Sequence, residues 1–65
     1  MSVLDKLSPR ERQVIEHVVL RGMSNKVTAR ALGLSPRTVQ DHRATAMKKL
    51  EVKNIAELTR IVASS

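Results

Sequence analysis

The sequence has no cysteine and no Phe, Tyr or Trp, and it holds only two glycines, two prolines and six acidic residues. Without cysteine there is no disulfide and no thiolate zinc site to staple a small fold, so packed apolar faces must carry the stability. Without aromatic rings, the stacking platforms on which RNP-type sheets and OB-folds hold single strands are missing. Long apolar runs are absent too. The run Val18-Val19-Leu20 is as long as any in the chain, far short of the roughly 20 residues that a membrane span needs. No basic start leads into an apolar stretch with a cleavage site, so the chain reads as soluble and cytoplasmic, with no membrane partner. His17 and His42 are far apart, and no Gly-rich phosphate loop, metal-ligand spacing or nucleophile motif is present. These absences point away from an enzyme, a cofactor and a metal.

What the chain has is positive charge. Its 65 residues carry 12 Lys+Arg against 6 Asp+Glu, a formal net charge of +6, and this length suits one domain over residues 1–65. Residues 24–53 hold Lys26, Arg30, Arg37, Arg43, Lys48, Lys49 and Lys53 against Asp41 and Glu51, while the flanking segments are nearly balanced. A basic segment in a domain without aromatics suits the phosphates of a duplex, although a solvated face kept for solubility gives the same composition.

Local punctuation divides the chain into four helices. Ser8-Pro9-Arg10-Glu11 is a capping box with Pro at the first helical position. Val14, Ile15, Val18 and Val19 then recur at helical spacing until Gly22, which predicts a helix over about 9–21. Ser24 can cap a short second helix over 25–32 that Gly33 ends. Ser35-Pro36 restarts a third at once, with Leu34 placed to staple against Val39. Nothing breaks this helix before Leu50, and Lys48 and Lys49 suit its negative pole. Asn54-Ile55-Ala56-Glu57 is another capping box and opens a fourth helix over 55–62, whose inner face is Leu58, Ile61 and Val62. Residues 1–5 and 63–65 are expected to fray. The fold class is therefore all-α, a four-helix domain.

The middle pair has the form of a helix-turn-helix: a short helix with small Ala29, a turn at Gly33, and a long helix that follows without slack. Advancing the third helix by 100° per residue from Val39 puts Ala46 and Leu50 each within about 20° of it on the core side. The opposite face carries Arg37, Gln40, Asp41, Ala44 and Lys48, polar and narrow enough to enter a major groove. There Gln40 suits adenine, Arg37 suits guanine or a phosphate, and Ala44 suits a thymine methyl. Asp41 can accept from cytosine, screen Arg37 or face water. Phosphate anchoring falls to the helix starts near Asn25 and Pro36 and to Lys26, Thr38, Lys48 and Lys49. His42 lies about 60° from the core stripe, where a half-buried packing role outweighs a phosphate contact.

Leu7-Ser8-Pro9-Arg10-Glu11-Arg12, Ser24-Asn25-Lys26, Ala29, Leu32 to Val39, His42 and Lys49-Leu50 together resemble the LuxR-type (GerE-like) DNA-binding domain. His42-Arg43-Ala44, Met47 and Ala56-Glu57-Leu58 are most similar to its FixJ-like branch of response-regulator output domains. The resemblance covers residues 7–62. It implies sequence-specific binding of double-stranded DNA in a transcription regulator, with the third helix in the major groove. It also implies pairing of two copies on DNA through the fourth helix, which offers Leu58, Ile61 and Val62. Positions matching the family's base-facing sites are Gln40, Asp41 and Ala44, and those matching its backbone-contacting sites include Lys26, Thr38 and Lys49.

The chain departs from that pattern in several places. Val27-Thr28 replaces an acid followed by a large aliphatic residue, which implies a polar core position or a Val27 rotated inward. Ala46 replaces a larger residue, and Glu51 stands where Gly is common. Val14 to Gly22 is one residue longer than the family spacing and matches region four of sigma factors, which would add RNA polymerase as a partner. A protein-interaction helix-turn-helix that has lost DNA binding is a third reading, with Asp41 and Ala44 as its signs and the retained cations against it.

Overall fold

A computed structural model describes residues 3–64. Met1, Ser2 and Ser65, expected above to fray, lie outside the described residues. The architecture is all-α: a 3-10 turn at Val3–Lys6, then α1 (Pro9–Ile15), a π-helical turn (Glu16–Leu20), α2 (Asn25–Leu32), α3 (Pro36–Lys49) and α4 (Ile55–Ala63). Each helix begins where a side chain can satisfy an orphan N–H. Ser8 accepts from Glu11 N–H and Glu11 returns the bond to Ser8 N–H, while Ser24, Ser35 and Asn54 cap Val27, Thr38 and Glu57. Among the described residues the Ser8 pair alone closes a reciprocal box; the box expected at Asn54-Glu57 is corrected to a one-way cap, in which Asn54 accepts from Glu57 N–H.

The first long helix departs from the 9–21 expectation. It is α-helical only to Ile15 and continues as a π turn, in which Arg21 N–H reaches Glu16 O at 3.2 Å. A π turn holds one more residue than an α turn. Gly22 at φ 65° ends the element, and Met23 N–H closes onto His17 O at 3.0 Å.

Two apolar clusters lie on either side of α1 and α3. Val14, Ala29 and Val39, with Val18, Leu32 and Leu34 against them, join α1, α2 and α3. Leu4, Leu7, Ile15, Ala46, Val52, Leu58 and Val62 join the chain start, α1, α3 and α4, with Val19, Met47, Leu50 and Ile61 at the margin. The expected fraying of residues 1–5 is therefore corrected for the described part. Leu4 is only 6% exposed, and Asp5 holds Arg12 at 3.5 Å. At the other end, Ala63 is the last residue of α4 and Ser64 N–H closes onto Arg60 O at 3.2 Å.

The Val27-Thr28 question resolves toward Thr28. Val27 stays outside at 46% exposure, and Thr28 is sealed in at 0% with no partner for its hydroxyl. Capping by Ser24 fixes the phase of α2, and Ala29 must pack under Val39; both forbid the rotation that would bring Val27 in.

Candidate nucleic-acid interface

The surface of interest is built by α2 and α3. Pro36 and the Ser35 cap start α3 immediately after Gly33, whose φ of 69° places it in the left-handed region. Leu34 N–H closes onto Ala29 O at 2.8 Å, so α2 and α3 are locked through a short corner. Burial of Val39 and Ala46 then determines which way α3 faces. Arg37, Gln40, Asp41, Ala44 and Lys48 all emerge on its exposed side, as does Thr45. No large apolar side chain interrupts that face.

Each candidate reader and anchor has a definite environment. Arg37 Nε and Asp41 Oδ1 stand 3.7 Å apart across one helical turn, and both side chains are largely exposed. Of the three options for Asp41, the structure shows the one that screens Arg37. Such an exposed pair is worth about 0–0.5 kcal/mol and opens readily. Thr38 shares a 2.9 Å hydroxyl contact with the Ser35 cap and is half-buried. Lys26 and Lys48 are exposed. Asn25 is half-buried at the first position of α2, and its Oδ1 accepts from Arg43 Nη1 at 3.2 Å. His42 is half-buried, and His17 Nδ1 lies 2.8 Å from Gln13 O.

Lys49 differs from the other cations. Its Nζ donates to Glu11 Oε1 at 2.7 Å, across 38 residues of sequence. The same oxygen accepts from Ser8 N–H at 3.0 Å. Glu11 is buried, and the Lys49 hydrogen bond, followed by the bond from Ser8, holds its carboxyl below the ordinary value against the opposing effect of burial. Lys49 thus ties α1 to α3, a role that its place beside Lys48 does not suggest.

The fourth-helix residues separate by burial. Leu58 at 0% and Val62 at 5% exposure are core, which corrects their assignment to a partner-facing surface, because the second cluster closes only with both inside. Ile61 is half-buried, and Ile55 is the large apolar residue that α4 leaves exposed. Sequence reasoning missed Arg43 and Glu11. The 100° rule places Arg43 at the margin of the core stripe, which flags it as half-buried, but its partner on α2 has no sequence signature.

The family described as GerE, bacterial regulatory proteins, luxR family, matches residues 5–62. The chain belongs to the luxR family. It is similar to the transcriptional regulatory protein FixJ of Bradyrhizobium diazoefficiens, 47% identical over 55 residues that cover 85% of this chain and 26% of FixJ. It is also similar to the transcriptional regulatory protein UhpA of Escherichia coli K12, 54% identical over 56 residues, covering 86% of this chain and 28% of UhpA. The response regulator protein TodT of Pseudomonas putida is 46% identical over 57 residues, 88% of this chain and 25% of TodT. The crystal structure of full-length FixJ from B. japonicum matches with a TM-score of 0.85 at 43% identity, over 94% of this chain and 30% of that one. The chain spans about a quarter of the length of these curated relatives. Among the described residues, no group of His, Cys, Asp and Glu could hold a metal, and no helix is long and apolar enough to cross a membrane.

Proposed function

We propose that this luxR-family chain binds double-stranded DNA in a sequence-specific way as the output module of a bacterial transcription regulator of the response-regulator type. The observation that carries the reading is the α3 face. Arg37, Gln40, Asp41 and Ala44 are exposed together, opposite buried Val39 and Ala46, inside the most basic segment of the chain. In this reading α3 enters the major groove. Gln40 reads adenine through N6 and N7, Arg37 leaves its weak pair with Asp41 for guanine or a phosphate, and Ala44 touches a thymine methyl. Lys26, Thr38, Lys48 and the start of α2 at Asn25 anchor the backbone, and Lys49 contributes from its place on Glu11. Two copies meet on a symmetric site through the outer side of α4, with Ile55 and the margin of Ile61 as its apolar surface. That surface is small, so the isolated chain is a monomer and pairing depends on the effective concentration that DNA supplies.

The test is selection of bound sequences from a random duplex pool, followed by titration of salt. About four to six phosphate contacts per copy imply a log–log slope near −4 to −5 per copy. Gln40→Ala should change base preference at one position of each half-site by about 1–3 kcal/mol. A flat salt dependence refutes duplex binding, and an unchanged motif in Gln40→Ala refutes this orientation of α3.

A further inference from the structure

The bond from Arg43 Nη1 to Asn25 Oδ1 joins the two helices of the helix-turn-helix across 18 residues of sequence, at 3.2 Å and half-buried. A guanidinium only donates, so the amide oxygen of Asn25 must face Arg43, leaving its NH2 group with two donors for another acceptor. Asn25 is the first residue of α2, directly after the Ser24 cap, where the helix dipole favours an anion. Arg43 lies between Asp41 and Ala44 on one side and buried Ala46 on the other. The bond therefore joins the anchoring end of α2 to the half-buried margin of α3 that borders its reading face. Apolar contacts of Ala29, Leu32 and Leu34 with Val39 already hold the helices together, so the bond adjusts their spacing more than it keeps them folded.

We infer that Arg43 is a positioning residue for DNA specificity: by holding Asn25, it sets the distance between the phosphate anchor on α2 and Gln40 and Ala44 on α3, and it turns the Asn25 NH2 outward. The inference rests on the DNA-binding reading above. Lysine cannot substitute, because a compact ammonium on a flexible stem does not reproduce the planar, directed donor. A misplaced anchor costs affinity where bases must be met and little where only phosphates are met.

The experiment uses the full chain, a duplex carrying the selected site and a scrambled duplex of the same length. Arg43→Lys keeps the charge and loses the directed donor. It should weaken the selected site about tenfold and the scrambled duplex less than about threefold, with the salt slope and thermal midpoint close to wild type. Asn25→Ala should lower the selected-to-scrambled ratio similarly, and the double variant should lower it no further than either single one. Asn25→Asp keeps an acceptor toward Arg43 but loses the NH2 donors, so both duplexes should weaken alike and the ratio should survive. Equal losses on both duplexes in Arg43→Lys, additive losses in the double variant, or a salt slope in Arg43→Gln lower by about one unit would overturn the inference, the last because Arg43 would then itself meet a phosphate. If the wild type binds neither duplex, the DNA reading fails and this inference falls with it. Wild-type binding with an indistinguishable Arg43→Lys overturns the positioning role alone.

Discussion

Glu51 follows α3 at φ 57°, and it is the non-glycine residue with positive φ among the described residues. The geometry is a Schellman closure: Glu51 N–H reaches Lys48 O at 3.2 Å and Val52 N–H reaches Met47 O at 3.1 Å, with Val52 buried in the second cluster. A side chain with a Cβ costs about 1–2 kcal/mol in this region. Glycine would remove that cost but would widen the unfolded ensemble by about 0.4–1 kcal/mol. Glu51→Gly should therefore stabilise by about 0.5–1 kcal/mol, which in a domain of this size raises the thermal midpoint by roughly 2–8 °C. Charge enters separately. An anion at a helix C-terminus is unfavourable, but Lys48 and Lys53 lie close in sequence, so the two effects roughly offset. Glu51→Gln isolates this part, because it keeps the Cβ and removes the charge. The assay is thermal unfolding followed by helical circular dichroism, at low and high salt. The gain of Glu51→Gly over Glu51→Gln should persist at high salt, where exposed charge effects are screened. A Glu51→Gly chain no more stable than Glu51→Gln would show that the left-handed closure carries no strain.

Thr28→Val keeps shape and removes a buried hydroxyl that has no partner. It should stabilise by about 1–2 kcal/mol with an unchanged denaturant m-value, and a loss of stability would show that the hydroxyl is bonded. Glu11→Gln should cost about 1–3 kcal/mol near pH 7 by weakening the bonds to Lys49 and Ser8. The folded pKa of Glu11 lies below its ordinary value of 4.5. Its contribution is thus complete above that value and is lost as pH falls through the folded one, so the gap between Glu11→Gln and wild type should close in acid. A gap that stays constant down to the acid transition would contradict the pairing. Lys26→Ala and Lys49→Ala should both weaken duplex binding without changing the motif, but only Lys49→Ala should lower the thermal midpoint. Equal midpoints would show that the Glu11–Lys49 bond carries no stability in solution.

Features that depend on near neighbours along the chain are legible in the sequence itself. Ser8, Ser24, Ser35 and Asn54 locate the helix starts because a cap bonds to an N–H three residues away. The exposed side of α3 follows from its period, since burying Val39 and Ala46 leaves Arg37, Gln40, Asp41 and Ala44 opposite. Glu51 is visible as a departure from a glycine position, although its φ is not. The residue string from Leu7 to Leu50 also carries the family resemblance.

Everything that joins distant residues is decided by the fold. Leu4 reads as the end of a frayed start until α4 offers Leu58 and Val62 to cover it. Leu58, Ile61 and Val62 sit on one helical face, but how deeply that face sinks is set by the width of the second cluster, which puts two of them inside and leaves Ile61 at the margin. The π turn at Glu16–Leu20 has no signature in the sequence, where Val14 to Val19 read as a continuous helical stripe. Arg43 and Lys49 look in sequence like two more cations of a basic helix. Only the crossing of α3 with α2 and α1 brings one to Asn25 and the other to Glu11, since hydrogen bonds over 18 and 38 residues exist only once packing has set the helix angles.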